Sequence, residues 1–286
     1  MAGSSPSHPV SATQWIFGAE GLSTTAERLS RLGYDGIELG GEPAQYDPEK
    51  VAGELSERAL TVTSICGIYT PERDLSHPTS SVRQAAVAYV TDTVGLATEV
   101  GAPILIVVPT AVGRVQPEAT AKEEWRWAVE SIREAATVAE EAGVTLVLES
   151  LNRYESYLVN RLERAADLVS EIGRPNVGLM ADLFHMNIEE ASIPDAILGA
   201  GALLRHVHLA DSNRRAPGLG HTDFAAALEA LDQIDYRGAY TMEFLPPTAN
   251  PYIAASLDVP EAEKTASAEQ AIGHLRRLRP AEFLSS

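Results

Sequence analysis

The sequence predicts an α/β fold, a single (β/α)8 TIM barrel, on three observations: eight short aliphatic or β-branched runs, helical periodicity between them, and no linker or low-complexity segment to divide them. At 286 residues the chain has a length at which α/β barrels form one compact unit. The rival is an open doubly wound sheet, which uses fewer strands and announces a nucleotide with a glycine-rich first turn. Neither G-x-G-x-x-G nor G-x-x-x-x-G-K-[ST] occurs.

The strands are expected at Gln14 to Phe17, Gly36 to Leu39, Val62 to Ile65, Ile104 to Val108, Thr145 to Leu148, Val177 to Ala181, Val207 to Leu209 and Ala239 to Met242. The first helix should open at Thr24, with Glu27 completing a capping box, and close at Gly33. Asp47 before Pro48 reads as a cap and first-turn proline, with Val51, Leu55 and Ala59 at helical spacing behind it. Val82 to Leu96 marks a third helix closed near Gly101, and Trp125 to Ala139 a fourth closed by Gly143. Four more are expected at Arg161 to Ile172, Ile193 to Leu204, Phe224 to Ile234 (capped by Asp223) and Ala266 to Leu278.

Residues 1–12 read as a flexible tail and 13–286 as the barrel domain. The first ten lack the basic start and apolar centre of a secretory signal, so a cytoplasmic location is expected. No stretch has the roughly 18 apolar residues of a membrane span. The lone cysteine, Cys66, excludes an intramolecular disulfide and a cysteine-cage zinc site. A formal charge of −18 repels a phosphate backbone, which argues against nucleic acid as a partner.

Barrel enzymes build their sites at the C-terminal ends of strands, so polar residues that directly follow apolar runs are the ones to collect. Glu149 follows Val-Thr-Leu-Val-Leu, Asp182 follows Val-Gly-Leu-Met-Ala, His208 closes His-Val-His, and Glu243 follows Tyr-Thr-Met. Three carboxylates and an imidazole at one rim could not all stay ionised without a compensating positive charge. One divalent cation supplies it, and an oxygen-rich set with one nitrogen favours Mn²⁺ or Mg²⁺, with Co²⁺ as an alternative and zinc behind them. No organic cofactor is expected. His206 shares a strand face with His208 two residues deeper and reads as a buried supporting histidine, not a ligand.

The stretches Glu149-Ser-Leu-Asn-Arg-Tyr-Glu155, Asp182-Leu-Phe-His185 and His206-Val-His208-Leu-Ala-Asp211-Ser-Asn-Arg214 resemble the ketose 3-epimerases of the D-tagatose and D-psicose (allulose) type. That group lies within the xylose-isomerase-like sugar isomerase/epimerase superfamily. Ligand intervals of 33 (149 to 182), 26 (182 to 208) and 35 (208 to 243) are similar to its spacing, and the resemblance spans essentially the whole barrel. It implies that Glu149 and Glu243 are both metal ligands and the acid/base pair, and that Glu155, His185 and Arg214 bind the sugar. It also implies a free monosaccharide substrate and a homodimer or homotetramer, with Mn²⁺ the first choice of metal. Cys66 matches a position near the sugar, and Leu245 is a candidate apolar wall. Ser150 departs from the proline that many relatives carry after the first ligand glutamate.

Residue chemistry alone leaves alternatives. Arg214 could instead belong to a surface ion-pair cluster with Arg215 and Asp211, and His185 could be an exposed loop histidine. Trp15, Phe17, Trp125 and Trp127 could wall a pocket or simply pack. Among functions, a related sugar isomerase, inosose dehydratase or glycoside lyase uses the same first proton abstraction, and a silent sugar-binding barrel would keep the cage without the chemistry.

Overall fold

The computed structural model describes residues 8–245 and 258–280. Its strands are β1 Val10–Thr13, β2 Gly36–Gly41, β3 Thr61–Gly67, β4 Ile104–Val107, β5 Thr145–Glu149, β6 Val177–Asp182, β7 Leu204–Leu209 and β8 Tyr240–Met242. All pair in parallel with the next in sequence, and β8 returns to β1 with Thr241 opposite Ser11. That closure makes the expected barrel and leaves no unpaired edge.

The helices are α1 Leu22–Leu32, α2 Pro48–Ser56, α3 Ser80–Val100, α4 Ala121–Glu141, α5 Leu162–Ile172, α6 Leu183–Glu189, α7 Ile193–Ala200, α8 Phe224–Gln233 and α9 Glu261–Leu278. Gly33 and Gly101 cap α1 and α3 in the left-handed region, where only glycine sits without strain. Asp47 and Asp223 accept backbone N–H bonds at the starts of α2 and α8, as expected.

The structure corrects four local expectations. Gln14–Phe17 is a 3-10 turn, and the first strand is the preceding Val10–Thr13, so Val10 to Ala12 belong to the sheet and not to a tail. The cause is a polar inner face: Ser11 Oγ lies 2.7 Å from Thr241 Oγ1, while the stronger apolar signal of Ile16 and Phe17 serves packing at the rim. Of the rest of the expected tail, His8 is buried against the barrel, Pro9 is exposed, and residues 1–7 lie outside the described residues. Thr24 does not open α1, which starts at Leu22. The sixth expected helix stops at Ala200 and passes through a 3-10 turn into β7, and α6 forms where a loop was expected.

Alternation along each strand sorts the side chains. Leu146, Leu148 and Leu179 face the helices and join the main core, whereas Val147, Met180 and Ile106 form a second apolar cluster. The residues that alternate with the outer set on β7, β8, β1, β2 and β3 are polar and equally buried: His206, His208, Thr241, Ser11, Glu38 and Ser64. Buried polar groups cost free energy unless they are paired, so this half of the interior demands a hydrogen-bond network. Arg28 on α1, also buried, ties α9 to the barrel by pairing with both Glu20 and Glu261.

Candidate active site

Strand parity brings the predicted polar residues to one end. Glu149 and Asp182 are the last residues of β5 and β6, His208 sits opposite Asp182 on β7, and Glu243 directly follows β8. All four are buried. Glu149, Asp182 and His208 each offer a ligand atom within 4.8 Å of the others, and Glu243 Oε2 lies 3.4 Å from His208 Nδ1. Their side chains come from four consecutive strands, so the rim itself sets the cluster's geometry.

Crowding has the electrostatic effect anticipated from residue types. Burial, then the charge of Glu243, pushes the Glu149 carboxyl well above the usual carboxylate range. The same two causes push Asp182 up to about 8. Burial opposes charge on His208, but Glu38 and Glu243 on either side outweigh it and raise its pKa well above the ordinary value. Glu243 goes the other way, because His208 and Arg214 overcome the effect of burial and hold it below the usual range.

Two buried atoms in this cluster, Asp182 Oδ2 and His208 Nδ1, have no hydrogen-bond partner. Such orphans are costly unless something else occupies them. Three carboxylates and one imidazole nitrogen, two of the four with a buried unpartnered atom, fit a hard divalent cation, which would take the place of the protons that burial and crowding hold there.

The remaining predicted residues sit beside this cluster. Arg214 Nη2 donates to Glu243 Oε2 at 3.3 Å and Nη1 to Glu155 Oε1 at 3.4 Å. It is therefore an inward-facing residue, and the surface-cluster alternative with Arg215 and Asp211 does not hold. Asp211 instead accepts the backbone N–H groups of Ser212, Gly218, Gly220 and Thr222, which folds the loop that carries Arg214. His185 is on α6, not on an exposed loop, and is only 1 % exposed. Its Nδ1 accepts the Asn152 N–H, so Nε2 carries the proton and lies 3.6 Å from Asp182 Oδ2. Burial and the nearby Arg214 push its pKa down to about 4, which keeps the ring neutral at physiological pH.

A cavity of roughly 470 Å³ opens over this end, a volume suited to a small ligand. Glu149, Glu155, His185, Arg214 and Glu243 supply its charged and ionisable wall, and Trp15, Ile68, Tyr69, Val112 and Leu151 much of its apolar one. Cys66 lines it too, with burial raising the thiol far above its usual pKa. Leu245 is not among the lining residues; it is buried, and its backbone N–H donates to the Arg214 carbonyl at 2.6 Å. Of the other aromatics, Phe17 is core, while Trp125 and Trp127 lie on α4 under the guanidinium groups of Arg164 and Arg83.

The sequence reading missed Glu38. This β2 carboxylate is completely buried and contacts both His206 and His208, each through Nε2, at 3.0 Å. The signal was present, since an acidic residue inside the run Gly-Ile-Glu-Leu-Gly has no place in a barrel interior without partners.

A closed parallel barrel with paired glutamates, a cation-ready cluster and a cavity at the C-terminal mouth defines an enzyme that performs acid–base chemistry on a small polar substrate. Residues 26–278 match the model of the xylose isomerase-like TIM barrel family, and the chain belongs to that family. A D-psicose 3-epimerase of Ruminiclostridium cellulolyticum is 35 % identical over 226 residues, 76 % of either chain. A 3-dehydro-D-guloside 4-epimerase of Escherichia coli is 31 % identical over 222 residues, 75 % of this chain and 84 % of its own. The crystal structure of D-psicose 3-epimerase with D-tagatose from Clostridium cellulolyticum H10 superposes with a TM-score of 0.86 at 28 % identity, covering 94 % of this chain and 99 % of that one. The protein is thus an isomerase of the ketose 3-epimerase group. Among the described residues no helix is long and apolar enough to cross a membrane.

Proposed function

We propose that this enzyme inverts C3 of a free ketose, using Glu149 and Glu243 as its two acid/bases. One divalent cation, with Mn²⁺ the first candidate and Mg²⁺ or Co²⁺ behind it, is held by Glu149, Asp182, His208 and Glu243. The observation that carries the reading is that Glu149 and Glu243, from the non-neighbouring strands β5 and β8, both line one cavity. Inversion beside a ketone requires a proton to leave one face of a carbon and another to arrive at the opposite face, so two separated carboxyl groups are the minimum equipment.

One glutamate takes the C3 proton, and the C–H electron pair moves into a C2–C3 double bond. The other glutamate, protonated, delivers its proton to the opposite face as the ketone re-forms. The two carboxyls end with their protonation exchanged, and the direction of turnover decides which begins as base. The bound cation would supply positive charge to the developing enediolate. Arg214 and the Nε2–H of His185 are donors for sugar oxygens, and Glu155 accepts from sugar hydroxyls while orienting Arg214. The apolar wall keeps water from the deprotonated carbon. Arg214 is the only cation among the described lining residues and is already shared by two glutamates, which supports an unphosphorylated substrate.

The test is exchange of C3 hydrogen with solvent deuterium across fructose, tagatose and ribulose, with a 3-keto-glycoside as comparison. Glu149→Gln and Glu243→Gln should each lower epimerisation by roughly 10²–10⁴-fold. Retained exchange in both variants defeats the two-glutamate mechanism, and turnover of the glycoside alone moves the enzyme to a neighbouring branch of its family.

A further inference from the structure

Glu38 does not line the cavity described above, yet its carboxylate is shared by three buried side chains of the barrel interior. Its Oε2 accepts the Ser64 hydroxyl at 2.6 Å and lies 3.0 Å from His206 Nε2 and 3.1 Å from His208 Nε2. Its other oxygen is 3.0 Å from His208 Nε2. All four residues are buried to 1 % exposure or less.

The backbone is adapted to this arrangement. Among the described strand pairs the register shifts twice. Glu38 pairs with Ser64 directly after Ile37 pairs with Val62, leaving Thr63 as an extra residue on β3. Met180 pairs with His206 directly after Leu179 pairs with Leu204, leaving Arg205 extra on β7. One added residue reverses which face the following side chains take, so these two bulges turn Ser64 and the histidines toward the interior where Glu38 waits.

We infer that Glu38 is a positioning residue that dictates which nitrogen His208 presents to the cation proposed above. A neutral imidazole carries one N–H, and a carboxylate at Nε2 claims it. The free lone pair is then on Nδ1, the atom that faces Glu243 at 3.4 Å and has no hydrogen-bond partner. His206 spreads the same carboxylate over a second imidazole, and Ser64 fixes its rotation. A carboxylate behind a metal-binding histidine orients the ring and raises its basicity, and its loss weakens metal binding about 10–100-fold. The competing reading of the same geometry is a second ion held by Glu38, His206 and His208, whose ligand atoms also lie within 4.8 Å of one another. Hydrogen bonds from both imidazoles to the one oxygen Oε2 bring the three residues this close, and none of them lines the cavity.

The inference rests on the proposed cation site, and Mn²⁺ titration of metal-free protein, followed by the free-ion EPR signal, separates the two. Wild type should take up one equivalent, and Glu38→Gln should bind about 10–100-fold more weakly, because an uncharged amide is a weaker acceptor and its NH2 group would face an imidazole N–H. Co²⁺ added to the same proteins should show a shifted visible spectrum in the variant, a signature that general loosening of the fold does not produce. Ser64→Ala, a milder change that serves if Glu38→Gln does not fold, should shift affinity the same way by less. Equal Mn²⁺ affinity in wild type and variants overturns the positioning role and leaves the cation site standing. Two equivalents in wild type and one in Glu38→Gln overturn it in favour of a second ion. No Mn²⁺ uptake by wild type removes the cation site and this inference together.

Discussion

Replacing Asp211 tests how the sugar-facing arginine is held. Its carboxylate is 1 % exposed and accepts four backbone N–H groups at 2.7–3.1 Å. Gly218 and Gly220 lie in exposed chain and can turn to water once the acceptor is gone, so only two of the four bonds are counted as lost. At about 1.5–3 kcal/mol for each bond to a charged group, Asp211→Ala should cost about 3–6 kcal/mol of stability. Function should fall too. Arg214 has a left-handed φ of 59°, a conformation that costs a non-glycine residue about 1–3 kcal/mol and persists only while the loop enforces it. The enforcing bonds run from the Arg214 N–H to the Asp211 carbonyl at 2.7 Å and from the Leu245 N–H to the Arg214 carbonyl. Release of the loop should lower kcat/KM about 10–100-fold through loss of one charged hydrogen bond to substrate.

The pH dependence has a definite sign. Burial alone would raise the Asp211 carboxyl, but the backbone N–H groups of Thr222, Ser212, Gly220 and Gly218 outweigh it and lower its pKa. Its contribution is therefore fully present above the ordinary value of 3.8 and is lost as pH falls through the lower folded value. Urea unfolding of wild type and Asp211→Asn should differ above about pH 4 and converge in more acid solution. A stability loss below about 1 kcal/mol in Asp211→Ala together with unchanged kcat/KM would refute the reasoning.

Three other outcomes are expected. Chelation should abolish turnover, and Mn²⁺ at a hundred times its Kd should restore it and stabilise the fold by about 2.7 kcal/mol in calorimetry; an unmoved unfolding transition contradicts the cation site. Arg28→Met leaves Glu20 with only Lys264 and Thr25 and removes one of the ties to α9, so it should destabilise by about 1–3 kcal/mol with little change in kcat, and a chemical-denaturation midpoint equal to wild type would refute the latch. Gly67→Ala places a methyl against the Ile106 carbonyl oxygen and 2.7 Å from the Tyr69 ring at the cavity wall; it should cost about 1–3 kcal/mol and raise KM, and unchanged values of both would show that the wall yields freely.

Glu149, Asp182, His208 and Glu243 were legible because each is the first polar or terminal residue of an apolar run, and a parallel strand in a barrel delivers that residue to the C-terminal mouth. Glu155, His185 and Arg214 came from resemblance, since nothing in a loop sequence states which way a side chain turns. The inward course of Arg214 depends on Asp211 and on a backbone bond to Leu245. Glu38 escaped notice because it lies in the middle of a strand and its partners come from β3 and β7. β1 was misplaced because Val-Ser-Ala-Thr lacks the usual aliphatic signal, and the partner of its buried Ser11 hydroxyl is Thr241, 230 residues away. α6 is too short to show a period within its seven residues.

Local order determined the alternation of strands and helices, the caps at Gly33, Asp47 and Asp223, and the set of residues that reach the barrel mouth, because periodicity and terminal hydrogen bonding act over a few neighbours. Tertiary structure decided which of those groups touch, which nitrogen of His208 faces Glu38 and which faces Glu243, and how far their protonation departs from ordinary values. Those outcomes depend on burial and on distances of a few ångströms between strands far apart in the chain, and electrostatic energy at such range is set by position, not by residue type.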